Sequence, residues 1–101
     1  MPRTKCLRFI GRLPEVTYYK PAGIPMRILD EVVINLDEIE AIRLADYENF
    51  YQEEAARRMN ISRQTFGRTI EAAHRKIAEA ILNGKAIRIE GGNVLFNNEP
   101  P

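Results

Sequence analysis

From Phe66 onward, apolar residues fall three or four positions apart: Phe66, Ile70, Ala73, Ile77 and Ile81. That spacing predicts one long amphipathic helix with a continuous inward stripe. Ser62 is placed to cap its N-terminus and Gly84 to close it as the C′ residue. The helix then runs from about Arg63 to about Leu82, near 30 Å at roughly 1.5 Å per residue. Upstream, Gln52–Met59 reads as a second, shorter helix. Ala55 and Ala56 leave room for close approach, and Met59 continues the same apolar face. Asn60 falls where the chain must turn, a position that tolerates left-handed backbone, and Ile61 plugs the turn into the core. Two helices joined by a three-residue turn form a helix-turn-helix, whose second helix is shaped for the DNA major groove.

The same patterning organises the rest of the chain. Asn35 followed by Glu38 resembles a capping box and opens a helix over 36–48. In it Leu36, Ile39, Ile42 and Leu44 or Ala45 face inward, giving a scaffold behind the other two helices. Its carboxylates Asp37, Glu38 and Glu40 suit the positive end of the helix dipole, and this is preferred to acid–base or metal work. Clusters of β-branched and apolar residues predict short strands at Cys6–Ile10, Glu31–Ile34 and Ala86–Glu90, the last ended by Gly91-Gly92. The terminal strands pair with each other or between two chains. Pro14, Pro21, Pro25 and Gly23 mark an irregular stretch that also carries Tyr18 and Tyr19. The expected organisation is a basic, proline-containing segment over 1–34, a helix-turn-helix domain over 35–83, a C-terminal strand over 84–96 and a disordered tail over 97–101. The fold class is mainly α with a small β component.

Opposite the apolar stripe, Gln64, Arg68, Glu71 and Arg75 share the solvent side of the long helix. Ser62, Arg63 and Thr65 occupy its first turn, the part of a recognition helix that reaches base edges. Arginine can fork onto guanine and glutamine onto adenine, each contributing roughly 1–3 kcal/mol of discrimination. Gly67 is unusual inside a helix and suggests close approach by a neighbouring helix or by DNA. Ser62, Arg63, Gln64, Thr65, Gly67, Arg68, Glu71 and Arg75 are therefore the candidate DNA-contacting set. The bland alternative is a solvated ion-pair face, which any amphipathic helix can carry.

Length and composition change this picture little. A chain of 101 residues bounds one small domain without room for a large catalytic cleft. No run of about 20 apolar residues suggests a membrane span, and no charged-then-apolar leader is evident. The lone Cys6 fits a reducing cytoplasm and reads first as an ordinary half-buried thiol.

Charge is more informative. The net value is only +1, but residues 1–29 hold six basic and one acidic side chain, residues 30–54 one and nine, and residues 55–76 six and one. The second basic block coincides with the proposed recognition helix. Arg3, Lys5, Arg8 and Arg12 either contact phosphate or a groove, or are simply solvated. Arg57, Arg58, His74 and Lys76 complete the candidate phosphate contacts. His74 has no cysteine or histidine at ligand spacing, and no phosphate loop, nucleophile elbow or zinc motif appears. No catalytic group, metal or cofactor is expected.

The phrases LPEVTYYKPAGIP, LDEIEAIRLAD, QEEAARRMNISRQTFGR and AIRIEGGN closely resemble the domain of unknown function 134 family of predicted DNA-binding proteins. The likeness runs from about Pro2 to Asn93. The family's helix-turn-helix is similar to region four of bacterial sigma factors, which implies major-groove binding through the helix beginning near Arg63. Relatives commonly carry Gly where this chain has Asn60, and Ser or Thr near Tyr51. The second departure weakens the N-cap of the first short helix. The expectation is a cytoplasmic, sequence-specific DNA binder and transcription regulator, acting as a homodimer on double-stranded DNA. The competing expectation is a protein-interaction adaptor that uses the acidic helix and exposed tyrosines.

Overall fold

The computed structural model describes residues 7–96. Strand β1 spans Arg8–Ile10 and β2 Tyr18–Tyr19, a 3-10 turn covers Met26–Ile28, and β3 spans Glu31–Ile34. Helix α1 covers Leu36–Ile42 and continues as a π turn over Arg43–Tyr47. Helix α2 is Gln52–Arg58 and α3 is Arg63–Asn83, followed by β4 at Ala86–Ile89 and β5 at Val94–Phe96. The protein is mainly α with a small β component.

The strands form two small sheets. In one, β4 lies between β2 and β3, parallel to β3 and antiparallel to β2; in the other, β1 and β5 pair in parallel. The first strand thus pairs with Val94–Phe96, a segment expected to lie beyond the last strand. Gly91 and Gly92, both at positive φ, link β4 to a further strand. They hold the chain against the start of α1, where the Leu36 amide donates to the Gly91 carbonyl at 2.9 Å. A Cβ on Gly92 would sit 3.0 Å from Asp37 Oδ1, so this linker is kept small by contact. Tyr18–Tyr19, expected within the irregular stretch, instead make a short strand on the β4 edge. The expected disorder over 97–101, and the side chains of Arg3, Lys5 and Cys6, lie outside the described residues.

Two apolar clusters anchor the elements. Ala41, Leu44, Ala55, Ala56, Met59, Phe66 and Ile70 are buried together, with Ile42, Ala45, Phe50 and Ile61 against them. Val32 and Ile34 alternate inward from β3 and meet Ala80, with Ile39, Ile77 and Ile87 alongside. Alanines at the α2–α3 contact let the helix axes come close, and Ile61 fills the turn as expected.

One part of the expected stripe fails. Ile81 is 72% exposed, and Ala80 takes the buried place. A period of 3.6 carries the stripe from Ile77 to Ala80 before it reaches Ile81, which rotates outward.

The first helix also departs from expectation. Its regular part is seven residues long and ends at Ile42, and a wider turn carries the chain to Tyr47. Ala41, absent from the expected core, is fully buried. Asp37, Glu38 and Glu40 are buried as well, so helix-dipole electrostatics alone does not account for them. Charges out of water require partners, and each carboxylate has one. Arg8 Nη1 meets Asp37 Oδ2 at 2.5 Å, Lys76 Nζ meets Glu38 Oε1 at 2.7 Å, and Arg43 forks onto Glu40 at 2.7 and 2.9 Å. The Gly11 amide adds a 2.8 Å bond to Glu40. The acidic helix is therefore the node to which β1, the π turn and α3 are tied.

Candidate nucleic-acid interface

Backbone chemistry sets the start of α3. Asn60 adopts φ 61°, the left-handed turn expected of it. Its amide bonds back to the Arg57 carbonyl at 3.1 Å, and the Ile61 amide to the Ala56 carbonyl at 3.0 Å, which closes α2. Ser62 then caps α3: its Oγ accepts from the Thr65 amide at 3.1 Å and donates toward Thr65 Oγ1 at 2.9 Å. The Met59 carbonyl accepts from the Phe9 amide at 3.0 Å, so β1 braces the turn from behind. The first turn of α3 is held from three sides while its outer face stays open.

On that face, Arg63, Gln64, Arg68, Glu71 and Arg75 are exposed. Phe66, Thr69, Ile70, Ala73 and Ala80 point the other way into the core. Among the described residues, Arg63, Gln64, Glu71 and Arg75 make no side-chain hydrogen bond or ion pair. Arg68 makes a long one, 3.4 Å to Thr65 Oγ1. Arginines without an internal carboxylate partner retain their hydrogen-bonding capacity for an external acceptor. The alternative of a self-satisfied ion-pair network does not describe this face.

Beside the turn lies an open cleft of about 520 Å³, lined by Glu53, Ala56, Arg57, Asn60, Ile61, Ser62 and Arg63. It lies between α2 and the amides of the first α3 turn. A smaller polar groove of about 320 Å³ flanks the opposite side, lined by Arg8, Asn35, Asp37, Glu38, Thr65, Arg68, Thr69 and Ala72. Gly67 is on the α2 side. A Cβ there would stand 3.6 Å from Gln52 Oε1, an ordinary contact, so the neighbouring helix does not by itself require glycine.

The other candidate phosphate contacts divide. Arg8 and Lys76 are tied to the buried Asp37 and Glu38. They hold the scaffold together, a role their sequence positions did not reveal because their partners lie 29 and 38 residues away. Arg57 and Arg58 share Glu54, and Arg58 also stacks 4.1 Å over the Phe50 ring. Arginine pairing holds the Glu54 carboxyl below the ordinary range, Arg57 contributing most. Arg57 nonetheless projects at the cleft mouth. His74 Nε2 lies 2.6 Å from Asp46 Oδ2 on the exposed flank of α3. Arg12 is exposed.

Sequence reasoning also missed a polar cluster on the outer face of the three-stranded sheet. Arg88 forks onto Glu31 at 2.8 and 3.0 Å and stacks 4.8 Å over Tyr18, whose hydroxyl donates to Glu31 at 2.7 Å. Arg88 and the Tyr18 hydroxyl hold the Glu31 carboxyl down at about 2. The three residues come from three strands, and their sequence separation hides them. Among the described residues, no group of three or more His, Cys, Asp and Glu is placed to hold a metal ion.

The architecture is that of a three-helix unit with a helix-turn-helix, buttressed by two short sheets. The chain matches the family described as "Protein of unknown function DUF134" over residues 1–97, and it belongs to that family. It is 55% identical over 97 residues to a UPF0251 protein of Prosthecochloris aestuarii, covering 96% of this chain and 63% of the relative. It is 53% identical over 99 residues to one of Thermoanaerobacter pseudethanolicus, covering 98% and 84%. A third, from Caldanaerobacter subterraneus subsp. tengcongensis, is 54% identical over 93 residues, covering 92% and 79%. This chain thus spans under two thirds of the first relative and about four fifths of the other two. No solved structure matches it. Among the described residues, no helix is long and apolar enough to cross a membrane.

Proposed function

We propose that this protein is a sequence-specific DNA-binding transcription regulator of the cytoplasm, reading the major groove with the N-terminal half of α3. The observation that carries this reading is the exposed stripe of Gln64, Arg68 and Arg75. Its side chains lack internal ion pairs and sit on a helix whose first turn is fixed by Ser62, Asn60 and β1. Arg68 and Gln64 supply base-edge contacts, while Arg63, Thr65 and the turn amides meet phosphate beside the cleft. Arg57 adds charge at the rim. Glu71, within the same stripe, disfavours phosphate nearby and suits the exocyclic amine of cytosine. The function requires no catalytic step and no cofactor.

A short recognition helix reads few base pairs, so the working form is a homodimer on a two-fold related site. Titration of the protein against double-stranded DNA at several salt concentrations tests the reading. Sequence-dependent affinity whose logarithm falls linearly with log salt supports it. Absence of binding at low salt removes it.

One observation favours a protein-binding adaptor instead. Tyr47 and Tyr51 stand 74% and 88% exposed at the two ends of the link between α1 with its π turn and α2, and tyrosine is enriched in protein interfaces. A stoichiometric protein complex formed by a chain without DNA affinity would select that reading.

A further inference from the structure

Gly67 lies inside α3, where glycine is destabilising relative to alanine, yet the fold has room for the missing methyl group. Apart from the backbone of its own helix, only Gln52 Oε1 comes within 4 Å of the place a Cβ would take, at 3.6 Å. Gln52 is the first residue of α2 and is exposed. Its carboxamide makes no hydrogen bond among the described residues. Rotation about the last side-chain torsion, which is broad for glutamine, brings either Oε1 or Nε2 over Gly67. Packing within the chain explains neither the bare backbone of Gly67 nor the idle donor beside it.

The two residues continue the seam between α2 and α3. Gln52 and Gly67 each stand four residues, about one turn, from Ala56 and Arg63, which line the open cleft beside the turn. Of the charged residues along that cleft, two are arginines and one, Glu53, is an acid. At about 100° per residue, Gly67 lies roughly 70° from the centre of the Gln64–Arg68–Glu71–Arg75 stripe, at its α2 edge. Arg63 is turned about 40° farther toward the cleft, and Glu71 about 40° the other way, into the stripe.

We propose that Gln52 and Gly67 together seat one phosphate of the DNA backbone. The bare Cα of Gly67 lets the strand come close to α3, and Gln52 Nε2 donates to a phosphate oxygen. The assignment rests on the DNA-binding reading and extends it to a residue of α2. In a helix-turn-helix the recognition helix fills the groove while the first helix crosses the backbone. A contact shared by both helices, at the edge of the stripe, therefore meets phosphate and not a base edge. Glutamine is among the side chains that make such contacts, which carry no sequence information but fix register and orientation on the duplex. The DNA strand, not α2, occupies the space that a Cβ would take.

Titration of the full chain against a duplex selected from random DNA and against an unrelated duplex, each at several salt concentrations, tests the seat. Gln52→Ala is expected to weaken binding to both by about tenfold, the scale of one hydrogen bond to a charged group. The log–log salt slope should stay unchanged, because glutamine displaces no counterion. Gly67→Ala is expected to weaken both by a similar factor while melting at an equal or higher temperature, so that the more stable protein binds DNA less well. Gln52→Lys restores binding and steepens the slope by about one phosphate contact. Either alanine variant binding like the wild type overturns the seat and leaves the DNA reading standing. A loss confined to the selected duplex does the same, and makes Gln52 a reader of bases. A wild type without affinity for any duplex at low salt removes the reading itself, and the seat with it.

Discussion

Lys76 Nζ lies 2.7 Å from Glu38 Oε1, tying the middle of α3 to the first turn of α1. The same carboxylate oxygen accepts the Asn35 amide at 2.9 Å, so one buried side chain both caps α1 and positions α3. Glu38→Ala removes two charge-assisted bonds and is expected to cost about 2–3 kcal/mol. Glu38→Gln keeps the cap and is expected to cost about half as much. Urea denaturation checks both, with the midpoint falling and the slope unchanged. A loss for Glu38→Ala below about 0.5 kcal/mol, the scale of exposed pairs, contradicts the account.

The Glu31–Arg88–Tyr18 cluster predicts an acid-sensitive sheet. Its carboxyl is held down at about 2, against 4.5 for a free glutamate. A lowered folded value means that the contribution is fully present above about 4.5 and is lost as the pH falls toward 2. Thermal melting of the wild type and Glu31→Gln across that window checks it. The gap between the two proteins should narrow as the pH drops, and a constant gap contradicts the assignment.

Asn60 holds φ 61° in the turn, where glycine bears no Cβ penalty. Asn60→Gly is expected to be neutral or stabilising, and Asn60→Ala to destabilise by about 1 kcal/mol. Equal stability of the Ala and Gly variants would show that the turn relaxes out of the left-handed region.

Gly67 occupies an α-helix interior, and the nearest atom to an added Cβ is the flexible end of Gln52 at 3.6 Å. Gly67→Ala is therefore expected to stabilise the fold by about 0.5–1 kcal/mol through helix propensity. A fall in melting temperature would mean that the α2–α3 contact is tighter than this distance implies.

Local chemistry made much of the fold legible in the sequence. The stripe from Phe66 to Ile77, the Ser62 cap, the Asn60 turn, the Asn35–Glu38 box and the Gly84 stop each depend on residues a few positions apart, and all are present. What the sequence hid depends on long-range partners. Arg8, Lys76 and the carboxylates of α1 are ordinary surface residues until tertiary structure brings them together. The β1–β5 pairing joins Arg8 to Val94, and a three-residue strand carries too little periodicity to announce itself. Ile81 lies outside the core for a simpler reason: a step of four from Ile77 reaches it, but the helix period carries the buried stripe by three, to Ala80. For the candidate site, helical spacing alone put Gln64, Arg68, Glu71 and Arg75 on one solvent face, and the structure separated the arginines of that face from the cations already tied to carboxylates.

Arg68 provides the most direct test of the central claim. Wild type and Arg68→Ala should be titrated against a site selected from random duplex DNA and against an unrelated duplex, each at several salt concentrations. The account predicts wild-type affinity with a negative log–log salt slope. It also predicts a loss for Arg68→Ala of about 1–3 kcal/mol on the selected site and much less on the unrelated one. No enrichment of any site, and no binding at low salt, would contradict it.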